Sequence, residues 1–217
     1  MKTSESTVRI WDPVVRIGHW TLVLAFFTAY FTEDDFLTQH VWAGYVVGAV
    51  VTLRIIWGFV GSRHARFSDF VRSPSTVLSY MRDLVGHRSQ RYLGHNPAGG
   101  AMIILLLISL SATVYSGLVL YALEEDAGPL AAWVADSNEA MPMPAQSASA
   151  KADEGDGRGN MDDEAREEYW EELHEFFANL TLLLVVFHVL GVIYSSRIHK
   201  ENLAKAMVTG RKRASDN

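Results

Sequence analysis

The chain has 217 residues, of which 49% are hydrophobic, and a formal net charge of −6. It contains no cysteine, which excludes disulfides, thiolate metal sites, iron–sulfur clusters and covalently attached c-type haem. The length suits a single domain over residues 1–217.

Four long apolar blocks dominate the sequence, and they lie at about residues 14–31, 40–60, 98–123 and 174–196. A helix needs about 20 predominantly apolar residues to cross a bilayer, and runs of this length are too long for ordinary strands. Asn96 followed by Pro97 is typical of a helix start, and it stands just before the third block. The sequence therefore predicts an all-α protein, an integral membrane four-helix bundle.

The connecting segments differ strongly in charge. Basic residues stand before the first span, between the second and third spans (six arginines from Arg63 to Arg91) and after the fourth span. Residues 124–175, in contrast, contain 16 acidic and 3 basic residues. Because basic loops mark the cytoplasmic side, we expect both termini inside and an acidic loop, about residues 124–170, outside.

Four histidines lie in the spans or at their edges. His174 and His188 are 14 residues apart on the fourth helix, so they share one face and lie roughly 21 Å apart along its axis. His19 lies near the inner end of the first span, and His40 opens the second span at its outer end. Depth alone pairs His19 with His188 and His40 with His174.

Ionisable side chains inside a bilayer are costly and usually functional, although a lone histidine on a helix is more often a packed side chain. Two histidines at matching depth on different helices suit axial ligation of a haem placed between the helices. The two pairs predict two haem b groups, stacked across the membrane, with these four histidines as the metal ligands.

Other residues fit the same arrangement less specifically. Gly18, Gly44 and Gly191 lie near the histidines and could leave room for a flat macrocycle, or could only allow close helix packing. Arg54 stands 14 residues after His40, on the same helix face and at the depth of the inner pair. A haem propionate is a natural partner for an arginine there, and snorkelling to the inner surface is the alternative.

Several motifs resemble those of one family. The stretch 8–13 (VRIWDP), followed by Arg16 and by His19 and Trp20, resembles the opening motif of bacterial cytochromes b of the b561 and nickel–iron hydrogenase b-subunit group. Residues 54–63 (RIIWGFVGSR) and 94–100 (GHNPAGG) resemble a branch often associated with small c-type cytochromes. The acidic loop, rich in Ala, Ser and Gly, departs from the family pattern.

The resemblance implies two b haems bound by histidines of the first, second and fourth helices, which match His19, His40, His174 and His188. It also implies a multi-pass protein of the bacterial inner membrane that exchanges electrons between a membrane quinone and a periplasmic redox protein, with a c-type cytochrome as the expected partner. A further implied feature is a quinone near the inner haem, where the neighbouring residues are Arg16, Arg54, Trp57 and His95.

Three other functions remain open at this stage. The first is a superoxide:quinone oxidoreductase acting alone. A cationic outer surface would favour its anionic substrate, whereas the outer surface of this chain is acidic. A hydrogenase membrane anchor subunit is a second alternative, and a non-redox anchor or transporter, which would be colourless, is a third. The sequence assigns no catalytic residue and leaves open whether the chain is itself an enzyme, and it places His64, His87, His95 and His199 at the surface.

Overall fold

The computed structural model describes residues 7–33, 36–136 and 158–214, with side chains described from residue 164 onward in the last range. The helices are α1 (Pro13–Phe31), α2 (Leu37–Val60), α3 (Phe67–Phe70), α4 (Pro74–Val85), α5 (Pro97–Glu125), α6 (Ala131–Asp136), α7 (Arg158–Ile198) and α8 (Leu203–Thr209). A single 3-10 turn spans Arg63–Ala65, and two short strands, β1 (Thr7–Arg9) and β2 (Arg211–Arg213), complete the described elements.

Four helices of the described residues are long and apolar enough to cross a membrane: α1, α2, α5 and the Glu164–Ile198 part of α7. The prediction of an all-α membrane bundle is therefore confirmed. Large apolar side chains on these helices point away from the protein, such as Ile17, Leu24 and Phe59, which are 68%, 70% and 70% exposed. Such an exposed apolar surface suits contact with lipid.

The starts of α1 and α5 follow from local sequence. Asp12 and Asn96 each precede a proline at the first helical position, and their side chains accept hydrogen bonds from the backbone N–H of Val15 (2.9 Å) and Gly99 (2.7 Å). These bonds satisfy donors that have no partner within the helix.

The bundle consists of two packed helix pairs. Helix α1 lies along α2, α5 lies along α7, and α2 also contacts α5. The buried core where α1, α2 and α5 meet contains Ala25, Phe26, Val47, Val51, Leu107 and Leu110. The histidines of α7 reach across to α1 and α2, so each predicted pair lies between helices.

One end of the bundle, here called the acidic end, contains the end of α5, α6 and the first turns of α7. Val119, Val134 and Trp170 form its apolar core. Part of the predicted acidic loop is thus helical, because α5 continues to Glu125 and α7 starts well before residue 174. Residues 137–157, the middle of that loop, lie outside the described residues.

The opposite end, here called the basic end, contains the arginine-rich connection and the first and last described residues. Strand β1 pairs antiparallel with β2, and Thr7 lies opposite Arg213. Glu201 forms ion pairs with Arg91 and with Lys212 (3.8 Å) beside this strand pair. The sequence analysis predicted neither strand.

Candidate functional site

The acidic-end pair consists of His40 on α2 and His174 on α7. Their ring centres are 5.9 Å apart, and the ring planes make an angle of 75°. The Nδ1 atom of His40 lies 2.9 Å from the carbonyl oxygen of Ala29, and that of His174 lies 3.0 Å from the carbonyl oxygen of Thr113. A carbonyl only accepts, so both Nδ1 atoms carry the proton and both Nε2 atoms keep a lone pair for a metal.

A partly open cavity adjoins this pair, and both histidines line it. Most of its other lining side chains are apolar, including Phe26, Val47 and Leu118. Gly44 also lines it, and a Cβ atom added there would meet nothing within 4 Å. This glycine therefore borders open space rather than a tight helix contact.

The basic-end pair consists of His19 on α1 and His188 on α7. Their ring centres are 6.4 Å apart, with an interplanar angle of 59°. Within the part of the chain that the structure describes, neither ring has a hydrogen-bond partner. A Cβ atom at Gly191, one turn from His188, would also meet nothing within 4 Å, whereas one at Gly18 would contact Val50 at 3.6 Å.

Both pairs have the dimensions of a bis-histidine metal centre. Two imidazoles on one metal ion, with metal–nitrogen bonds of about 2 Å, keep their ring centres roughly 6 Å apart. No group of three or more metal-binding side chains occurs among the described residues. The predicted proximity of both pairs is observed, and haem binding by them stays a prediction.

Arg54 lies on the last part of α2, and both it and His188 lie close enough to His95 to influence its pKa. Its guanidinium donates a hydrogen bond to the carbonyl oxygen of Ala65 (3.2 Å) and lies over the rings of Phe67 (5.5 Å) and Phe70 (5.8 Å). No carboxylate lies within ion-pair distance of it among the described residues. The guanidinium thus has donors left for an anion such as a propionate, which was its predicted partner.

Arg16 has a structural partner instead. Its guanidinium donates to the carbonyl oxygen of Val208 in the last turn of α8, where a cation is favourable. Its predicted role in cofactor binding stays a prediction.

Trp57, the neighbour predicted for a quinone, is also engaged in a structural contact. Its Nε1 donates to Asp12 (3.1 Å), which also accepts from Ser62, so the start of α1 is tied to the end of α2. Burial raises the pKa of Asp12, but the hydrogen bonds from Ser62, Val15 and Trp57 outweigh it and hold the pKa below its ordinary value.

The prediction that His95 is a surface residue is wrong. Its ring packs between Trp11 (4.4 Å between ring centres) and Phe70 (4.8 Å), and its Nδ1 atom is buried without a hydrogen-bond partner. Burial and then the positive charges of Arg54 and Lys212 lower its pKa to about 3. His95 is therefore a neutral, half-buried side chain at the basic end.

A sequence model of the family described as prokaryotic cytochrome b561 matches residues 10–210, nearly the whole chain. The chain belongs to the prokaryotic cytochrome b561 family. Membership agrees with the four apolar helices of a multi-pass membrane protein, and it implies haem b as the cofactor.

The chain is also similar to curated relatives named as probable Ni/Fe-hydrogenase B-type cytochrome subunits. The one from Rhodobacter capsulatus is 26% identical over 54% of this chain and 56% of the relative, and the one from Azotobacter vinelandii is 25% identical over 54% and 61%. The match covers little more than half of the length of these relatives. No solved structure matches the chain significantly.

The sequence of this cytochrome b561 family member did not predict that three residues of α5 contact a paired histidine. Thr113, Ser116 and Gly117 lie on α5, which holds none of the paired histidines, and all three touch His174. Small and hydroxyl residues are common in membrane helices for packing alone, so no signal in the sequence distinguished them.

Proposed function

We propose that this chain binds two haem b groups and passes electrons across the bacterial inner membrane. The observation that supports it is the presence of two histidine pairs, with ring centres 5.9 and 6.4 Å apart, separated along α7 by 14 residues or roughly 21 Å. His40 and His174 would hold one group, and His19 and His188 the other. Haem b supplies one-electron redox chemistry when bound.

The surrounding residues would orient the two haem groups and compensate their charge. The carbonyl oxygens of Ala29 and Thr113 select the tautomer in which Nε2 faces the metal at the acidic end. Arg54 supplies a fixed positive charge for a propionate at the basic end. The apolar lining of the cavity beside His40 would limit the contact of a bound haem with water.

The basic end faces the cytoplasm in this proposal, because the arginine-rich connection and the first and last described residues lie there. The chain has no cysteine, so single cysteines can be introduced without background. Cysteines replacing Ser89 and Ser147 should react with an impermeant reagent from opposite faces of oriented vesicles. Reaction of both from the same face would refute the orientation.

The expected exchange partners are a membrane quinone at the basic end and a periplasmic redox protein at the acidic end. Exposed carboxylates at the acidic end come from both α5 and α7: Glu124, Glu125, Glu164, Glu168, Glu171, Glu172 and Glu175. Such a surface favours encounter with a basic protein, for which a c-type cytochrome is suitable. It disfavours superoxide, an anion, as the substrate of a superoxide:quinone oxidoreductase.

A second candidate is a membrane anchor subunit for a hydrogenase. It is favoured by the names of the relatives from Rhodobacter capsulatus and Azotobacter vinelandii. The same two haems would then accept electrons from a tightly bound partner rather than from a diffusing carrier. Stable co-purification with hydrogenase subunits would distinguish this candidate from the first.

The decisive experiment is haem quantification followed by electron transfer in liposomes. The pyridine haemochrome assay should report b-type haem at two per chain. In proteoliposomes, quinol should reduce both haems, and an added basic c-type cytochrome should reoxidise them at a rate that falls with increasing salt. One haem or none per chain would refute the two-haem proposal, and reduction by superoxide alone would favour the oxidoreductase alternative.

A further inference from the structure

Helix α5 holds none of the four paired histidines, yet it encloses one of them. The Nδ1 atom of His174 lies 3.0 Å from the carbonyl oxygen of Thr113 and 3.2 Å from the hydroxyl oxygen of Ser116. A Cβ atom added to Gly117 would lie 2.7 Å from Cε1 of His174. The ring therefore sits directly on the α5 backbone, at a distance that only glycine allows.

The hydrogen bonds in this contact have a defined direction. The Ser116 hydroxyl has carbonyl acceptors on its own helix, Ala112 at 2.9 Å and Thr113 at 3.0 Å. Since the single hydroxyl proton is directed to one of these, the Ser116 oxygen is left to accept from Nδ1–H of His174. The imidazole proton is thus shared between two acceptors on α5.

A buried hydroxyl cluster holds α5 and α7 in register next to this contact. The Ser109 and Thr181 hydroxyl oxygens are 2.7 Å apart, and Thr113 lies 3.4 Å from Thr181. Thr181, Ser116 and Ser109 are 0%, 1% and 3% exposed. Because interhelical hydroxyl pairs of this kind resist sliding of one membrane helix along another, the acceptors on α5 stay opposite His174.

We propose that Ser116 and Gly117 are positioning residues that fix the ring of His174 and thereby set the spectrum and reduction potential of the acidic-end haem. The inference rests on the proposed function, in which His174 would be one of the two protein ligands of the acidic-end haem. A hydrogen bond from the outer nitrogen raises the basicity of a ligating imidazole, which stabilises the ferric state. The angle between the two ring planes, 75° here, also determines the EPR spectrum of a ferric bis-histidine haem.

The basic-end pair offers an internal comparison within the same chain. The rings of His19 and His188 have no hydrogen-bond partner within the described ranges, and α5 does not supply one. Changes at Ser116 and Gly117 should therefore alter one haem and leave the other unchanged.

The test uses three single substitutions in the full-length haem-loaded protein: Ser116→Ala, Ser116→Thr and Gly117→Ala. The matched control is Ser111→Ala, since the Ser111 hydroxyl makes the same kind of bond within α5 (to Leu107, 2.7 Å) and lies away from the paired histidines. Readouts are haem content, a redox titration that resolves two potentials, and EPR of the oxidised protein.

Ser116→Ala should raise the potential of one haem only, by up to about 59 mV, which is a tenfold change in the equilibrium constant of a one-electron couple. Ser116→Thr keeps the hydroxyl, so both potentials should stay at their wild-type values. Gly117→Ala should displace the ring and change or abolish the EPR signal of that same haem. Ser111→Ala should leave both potentials in place.

Unchanged potentials and EPR signals in Ser116→Ala and Gly117→Ala, with two haems still bound, would overturn the inference. So would equal shifts of both haems, or the same shift in Ser111→Ala, because either would indicate a general change in the bundle. If Gly117→Ala does not fold, the two Ser116 variants decide the question. A wild-type protein without haem would instead refute the proposed function.

Discussion

The two histidine pairs have similar ring spacing but different surroundings. At the acidic end, His40 and His174 are both hydrogen-bonded to backbone carbonyls, and a partly open cavity lies beside them. At the basic end, the rings of His19 and His188 have no hydrogen-bond partner among the described residues. The nearby polar group there is Arg54, which lies over aromatic rings and has no carboxylate partner within the described chain.

Under the proposed function, this difference would control the same cofactor in two ways. Backbone carbonyls fix the tautomer and ring orientation at the acidic end before any cofactor would bind. At the basic end, the positive charge of Arg54 would favour a reduced haem and its propionates. We therefore expect substitutions to affect the two haems separately and through different physical causes.

The largest expected effect is loss of one haem on removal of one ligand. His174→Ala should remove the acidic-end haem, and His188→Ala the basic-end haem, so that each variant retains one haem per chain. Haemochrome quantification with low-temperature difference spectra measures this. Identical residual spectra for His19→Ala and His40→Ala would show that the pairing is wrong.

Filling the cavity should have the next largest effect. Gly44→Phe places a ring in the open space beside His40, and we expect it to lower occupancy of the acidic-end haem while the basic-end haem stays bound. Val46→Phe is the matched control on the same helix, since Val46 is 40% exposed and does not line the cavity. Equal haem content in both variants would contradict a macrocycle in this cavity.

Arg54→Gln should change the reduction potential of the basic-end haem and leave that of the acidic-end haem unchanged. Loss of the positive charge disfavours the reduced state, so the potential of that haem should fall while the haem stays bound. Arg63→Gln serves as the control, because its side chain is 86% exposed. A redox titration of both variants measures the shifts, and an equal fall for both haems would argue against a local contact.

The smallest expected effect concerns pH and His95. Its pKa, lowered to about 3 by burial and then by the charges of Arg54 and Lys212, lies below the value of an unfolded histidine. Protonation therefore favours the unfolded chain, and stability should decline as the pH falls below about 6.5. His95→Phe keeps the packing between Trp11 and Phe70 and should flatten this decline in thermal unfolding at pH 5 to 7. An unchanged pH dependence would show that other groups cause it.

Much of the fold was determined by the sequence alone. Membrane spans are set by the length of apolar runs, a local property, and α1, α2 and α5 begin and end within a few residues of the predicted limits. The depth of each histidine follows from its position along a helix of known rise, so the pairing of His19 with His188 and of His40 with His174 could be predicted before any contact was seen.

Only the tertiary structure decided which side chains support these pairs. Hydrogen bonding between His174 and α5 depends on how α5 and α7 rotate against each other, and no local pattern at Ser116 or Gly117 encodes that rotation. The same holds for His95, which lies next to a helix start and is half-buried only because Trp11 and Phe70 come from distant parts of the chain. Spans and depths arise from short-range periodicity, whereas the environment of each ring arises from contacts between segments far apart in sequence.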